Sequence, residues 1–455
     1  MKKRVISLLV TVAMASTLIT GCVSAGGEAS DKNTESTTQT DAVENKTQTE
    51  TTDKGSSADS EAEKTGEVQK VTFTCWYDED NMEPILAAIN EQLGGDYVVE
   101  YTYIAQSDYN NVLGTQLAAG EGPDIVADGA NFPARIKAGN VKEITGADYL
   151  EGINDAGFAL CKEGDKIYGI PSYGWFSGVW YNKDIFEQYN VAVPTTFDEL
   201  VAACDTLAAN GVQPMGFGLA DGDTGLHSLL GYIENSFYEA SEEGKRFDDE
   251  FAKGQKTMDG TLNEYVKEWS VLIEKGYIND TMVGISNEQA LSDFIAGKTA
   301  IFNGGPWQYT NLKDAGLNFG MIPNLGKSSE NQYLNGGPAV NFGINVNTKN
   351  EEGAVKLMEA LASVEVQQAF VDANVGGFSY KEGVTVDIPD EYEAVKGILE
   401  KGNVACCWDR WSVNMPSQSL FDEAVSQVQG LATGSVTPDD FVKALDTKAD
   451  SIRYE

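Results

Sequence analysis

The chain has 455 residues, of which 70 are Asp or Glu and 32 are Lys or Arg, giving a formal net charge of −38. A body this acidic is repelled by phosphate backbones and anionic headgroups, which argues against nucleic-acid binding and electrostatic docking on a membrane. One histidine and six cysteines, with no CxxC spacing, leave little material for a zinc site, a disulfide framework or a catalytic triad, so no metal ion or cofactor is expected.

Lys2, Lys3 and Arg4 precede an apolar run over 5–19 that is too short to span a bilayer, so 1–21 reads as a signal peptide. The run closes on Ile19, Thr20, Gly21 and Cys22. This resembles the bacterial lipobox, in which the cysteine thiol takes the lipid, and makes Cys22 the expected lipidation site. Residues 22–67 are almost wholly polar and cannot bury enough surface to offset chain entropy, so they are expected to form a disordered tether. A flexible coil of about 45 residues reaches on the order of 35 to 40 Å. That arrangement suits a Gram-positive envelope, with the body lipid-anchored on the extracellular face of the cytoplasmic membrane.

The remaining roughly 385 residues exceed what one hydrophobic core usually supports, and two lobes are expected. In chain order, 71–75 alternates as a strand, 84–93 reads as a helix, and 98–104 is a second strand. Ser107 stands at an N-cap position before a helix over 108–119, and 124–127 is a third strand. This alternation implies a parallel sheet, whose ligands collect beyond the carboxyl ends of the strands, here 76–80, 105–109 and 128–132. Thr196 and Glu199 have capping-box spacing at the start of a helix ending near Ala209. The stretch 226–312 reads as mainly helical, with loops near 221–223 and over 242–254. Residues 319–322 and 340–346 read as strands, and the rest as helix. Cys75, Cys161, Cys204, Cys406 and Cys407 read as buried small hydrophobes, with a vicinal Cys406–Cys407 disulfide left open.

Four segments, in this order, carry a family resemblance: 117–125 (LAAGEGPDI), 168–171 (YGIP) leading to 181–186 (YNKDIF), 194–200 (PTTFDEL) and 294–307 (FIAGKTAIFNGGPW). Together they resemble family 1 extracellular solute-binding proteins, the carbohydrate-binding subunits of ABC importers that include the maltodextrin-binding proteins. The resemblance implies a periplasmic-binding-protein-like α/β fold, two lobes joined by three crossovers with the ligand cleft between them. The crossovers are expected near 172–178, 322–326 and 372–378. Lobe 1 is then 68–173 plus 323–375, and lobe 2 is 174–322 plus 376–455. It further implies a monomeric receptor that hands a carbohydrate to membrane permease subunits.

Sugars offer a C–H face and a rim of hydroxyls, so their sites combine flat aromatic platforms with planar polar groups. Trp307 is similar in position to a sugar-stacking tryptophan of the maltodextrin-binding proteins, and Trp175 lies in the first crossover. Trp76, Tyr77 and Asp78 follow the first strand. Asp128 and Asn131 follow the third, where maltodextrin-binding members carry a tryptophan that this chain lacks. Trp408, Arg410 and Trp411 add two indoles and a donor fork, and Tyr109 and Tyr173 complete the candidate set. His227 reads as structural. The alternatives are a secreted carbohydrate-active enzyme, which needs two carboxylates about a scissile bond, and a receptor for a non-sugar solute such as a peptide. The absence of HExxH, GxSxG and P-loop patterns favours binding over catalysis.

Overall fold

The computed structural model describes residues 68–453 apart from Gly222. The predicted signal peptide, Cys22 and the tether lie outside the described residues.

The first lobe is built on a five-stranded sheet in the order Tyr97–Tyr103, Gln69–Cys75, Ile125–Asp128, Asn341–Ile344 and Ile170–Pro171. The first three strands run parallel and the last two pairings are antiparallel. Both faces are covered. Phe73, Ile125, Ala127 and Phe342 enter one core with helices Glu79–Gln92, Glu351–Leu361 and Val364–Ala373. Val126 turns to the other, where Leu113, Leu117 and Phe132 pack. Helix Glu79–Gln92 starts five residues before the predicted Pro84, because Asp78 caps it by accepting the Asn81 N–H at 2.9 Å. Helix Gln106–Ala118 likewise begins ahead of the predicted Ser107 cap, with Ala105 at the N-cap.

The second lobe is built on the nine-residue strand Gly174–Asn182. Its alternation serves two cores, Val179 and Tyr181 on one face and Phe176 and Trp180 on the other. Strand Thr299–Gly304 pairs along one edge, and Gln213–Gly216 lies beyond it. Along the other edge run Leu334–Pro338 and Phe319–Ile322, with Val404–Ala405 outside the former. Thr299–Gly304 falls within the stretch read as mainly helical, and the predicted loop over 242–254 is largely the helix Glu242–Ala252. Ser241 caps that helix, and Phe247 and Phe251 are buried along its face with rings stacked at 5.9 Å.

The chain crosses between lobes at three places that lie side by side. Ser172 N–H donates to Val340 O at 2.8 Å, Ala339 N–H to Tyr173 O at 2.9 Å, and Gly174 N–H to Phe378 O at 2.7 Å. A Cβ on Gly174 would lie 2.1 Å from the Phe378 ring, so only glycine lets that ring lie flat against the first crossover. The second crossover is at Ala339–Val340, not at 322–326. Phe319–Ile322 and Leu334–Pro338 both pair with Gly174–Asn182, so the chain between them stays in the second lobe. Asn235 holds that excursion at both ends, donating from Nδ2 to Asn324 O (2.8 Å) and Tyr333 O (2.9 Å) and accepting the Tyr333 N–H at 2.7 Å.

The five described cysteines are buried free thiols, Cys406 and Cys407 included.

Candidate functional site

Trp307 follows the turn Gly304, Gly305, Pro306 at the end of Thr299–Gly304. Gln308 is buried and accepts the Gly305 N–H at 2.7 Å, which fixes the turn. The indole folds back over Gly305, where a Cβ would come within 2.1 Å of its ring. Trp307 is nonetheless 51% exposed, an unusual state for so large an apolar group.

From Trp307 a row of rings runs across the second lobe. Trp175 is next, with centroids 6.3 Å apart, then His227 at 5.7 Å, Phe421 at 6.1 Å and Trp408 at 4.7 Å. The rings come from strand Gly174–Asn182, helix Asp223–Ile233, helix Ser417–Thr433 and helix Cys407–Ser412. All four spacings lie in the range of favourable ring pairs. Burial lowers the pKa of His227 against the opposing pull of Asp223, so the neutral imidazole is favoured in the row. Trp175 also packs against the first-lobe core, as Trp76 and Tyr77 do elsewhere on it, and Ala130 of the first lobe packs against the second-lobe core. The row therefore borders the junction of the lobes.

On the first-lobe side, Trp76 leaves the carboxyl end of Gln69–Cys75 and meets Tyr109 edge-on at 5.0 Å. Its ring overhangs Gly129, where a Cβ would stand 3.6 Å from Trp76 Cη2. Asn131 makes no cap hydrogen bond to the helix Phe132–Lys137 that follows it. Tyr77 and Tyr173 bond hydroxyl to hydroxyl at 3.0 Å, and Tyr173 donates onward to Asn374 Oδ1 at 2.9 Å. That chain links the first strand end to the first crossover and to Asn374 at the start of the third.

Several predicted ligand contacts are instead engaged in the fold. The Tyr109 hydroxyl is buried, 2.9 Å from Thr74 O and 2.5 Å from Ala127 O. Asp128 is buried and pairs with Arg135 Nε at 2.8 Å; burial raises its pKa while Arg135 opposes the rise. Arg410 is not a donor fork for ligand, because Glu234 Oε1 at 2.7 Å and Asp248 Oδ2 at 2.5 Å take it. Trp408 and Trp411 are both buried in the second-lobe core, the latter with its indole N–H on Asp248 Oδ1 at 2.8 Å. Asp78 is an exposed helix cap.

His227 and Phe421 are the row members that sequence reasoning missed. A phenylalanine at helical spacing reads as core, and a lone histidine has no local pattern to mark it.

Two α/β lobes joined by three adjacent crossovers, with an aromatic row at their junction, define a ligand-binding protein of the hinged two-lobe class. The family model for bacterial extracellular solute-binding proteins matches residues 78–368, and the chain belongs to that family. It is 26% identical over 274 residues to the multiple sugar-binding protein of Streptococcus mutans, a match that covers 59% of this chain and 65% of that one. The matched part thus spans just under two thirds of that relative's length. It is 24% identical over 368 residues to the galactooligosaccharide-binding protein of Bacillus subtilis, covering 78% of this chain and 82% of that one. Among solved structures, a family 1 extracellular solute-binding protein from Bifidobacterium longum subsp. infantis superposes with a TM-score of 0.68 at 25% identity, over 85% of this chain and 100% of that one.

Proposed function

We propose that the chain is a carbohydrate receptor that takes an oligosaccharide between its lobes and delivers it to the permease of an ABC importer, without acting on it as an enzyme. The observation that carries this reading is the pair of indoles Trp307 and Trp175 at the lobe junction, Trp307 left exposed, with His227, Phe421 and the buried Trp408 in line behind them. Indole faces stack on pyranose C–H faces, and a row of them suits a ligand longer than one ring. Trp76 and Asn131 supply a first-lobe wall, so that closure about the crossovers would bury the sugar on both sides. The names of the relatives, which bind multiple sugars and galactooligosaccharides, support the ligand class. Lipid attachment at Cys22, with 22–67 as tether, would hold a monomeric receptor near its permease.

Calorimetric titration with a panel of oligosaccharides tests the reading, with chromatography of the ligand afterwards. Stoichiometric binding and intact ligand are expected. Catalytic turnover, or no sugar bound while peptides are, would overturn it.

A further inference from the structure

A cavity lies apart from the ring row, and none of the five rings lines it. It holds about 870 Å³, within the range of small-molecule sites. The first lobe contributes Asn154 and Ala156, the third crossover Phe378 and Tyr380, and the second lobe Gly337 and Asp409. Its wall is part apolar, with Val384, Val386, Ile388 and Leu399.

Two polar groups lie deep in this cavity without a hydrogen-bond partner for their side chains among the described residues. Asp409 is 8% exposed and Tyr380 is 6% exposed. The Asp409 carboxylate rests on Gly337, where a Cβ would come within 2.1 Å of Oδ2. The adjacent cation makes no ion pair with it. Arg410 makes its ion pairs with Glu234, Asp248 and Glu239, three carboxylates on one guanidinium. The other charged lining residues, Asp387, Lys396, Glu400 and Lys401, are exposed at the rim and screened by water. A largely buried carboxylate without an ion-pair partner is costly, and a cation in the cavity beside it lowers that cost.

We propose that this cavity is a second ligand site, separate from the sugar cleft, which takes a small organic ammonium compound with its charge on Asp409, its N–H reaching Tyr380 and its apolar body along Val386 and Leu399. Because both lobes and a crossover wall the cavity, its occupant touches the parts that move relative to one another when the cleft closes. Without an occupant, burial pushes the Asp409 carboxyl up to about 7, with Arg410 opposing and Glu234 adding to the rise. Tyr380 and Cys406 also face it, both with pKa values pushed up by burial, so they stay neutral across the working range. Cation binding must therefore compete with a proton on Asp409.

The test is an NMR titration of the intact protein with benzylamine, alongside benzyl alcohol as its neutral counterpart. Benzylamine is expected to bind at one site and about tenfold more weakly at pH 6 than at pH 8, following the ionised fraction of a group titrating near 7. Asp409→Asn is expected to lose the binding and its pH dependence, Val386→Trp to lose it by filling the cavity, and Trp307→Ala to keep it. No binding of benzylamine, equal binding of the alcohol, or unchanged affinity in both Asp409→Asn and Val386→Trp would overturn the proposal. Loss of binding in Trp307→Ala would overturn it too, since the amine would then occupy the sugar cleft.

Discussion

Gly305 decides where the most exposed ring of the row stands. Its backbone is extended, so no left-handed conformation demands glycine there; the demand comes from the Trp307 indole lying against it. Gly305→Ala is expected to displace the indole and weaken sugar binding at least about tenfold, with little change in melting temperature because the ring is half in solvent. Calorimetry and a thermal melt on the same sample check both parts. The sequence singled out Trp307 through the family resemblance and Trp175 through its Gly-flanked crossover, and the structure brings both rings into the row. The engagement of Asp128 and Arg410 was not legible there, since chain position cannot show that Arg135, Glu234 and Asp248 already claim them.

Among the elements, the parallel half of the first sheet and the caps were the most readable. Thr196 caps its helix as expected, accepting the Glu199 N–H at 3.3 Å, but Glu199 reaches back to Thr195 rather than to Thr196. Strand Leu334–Pro338 was hidden because its Asn-Gly-Gly-Pro sequence reads as a turn. Its glycines are there for close approach, and a Cβ on Gly336 would stand 2.0 Å from Trp175 O. Missing that strand misplaces the second crossover, since the Pro and Gly after Ile322 then look like the exit from the lobe. The excursion that replaces the exit depends on Asn235. Asn235→Ala removes three hydrogen bonds, one buried and two part-buried, and is expected to cost about 2 to 4 kcal/mol, read as a lower urea midpoint. A change below about 0.5 kcal/mol would mean the excursion holds itself.

For the whole molecule, a receptor is useful to an importer only if it stays near the permease and changes shape on loading. Lipidation at Cys22, as proposed, would meet the first need. Cys22→Ser is expected to move the protein from the membrane fraction to the medium without altering sugar affinity, as fractionation and calorimetry would show; retention in the membrane would reject the anchor. The second need falls on the three crossovers and the Tyr77, Tyr173, Asn374 chain that ties the first strand end to two of them. The two-lobed architecture was readable from ordered motifs spread along the chain, because each marks a turn the fold requires. The ring row was only half readable, because Phe421 and His227 reach it from helices distant in sequence.

The most direct measurement is the affinity of the wild-type protein and of Trp307→Ala for the tightest-binding oligosaccharide of the panel. A stacking anchor at the end of the row should cost at least about 2 kcal/mol when truncated, close to a thirtyfold rise in Kd, with the fold intact by circular dichroism. An unchanged Kd in a folded Trp307→Ala protein would contradict the sugar-stacking role of the row.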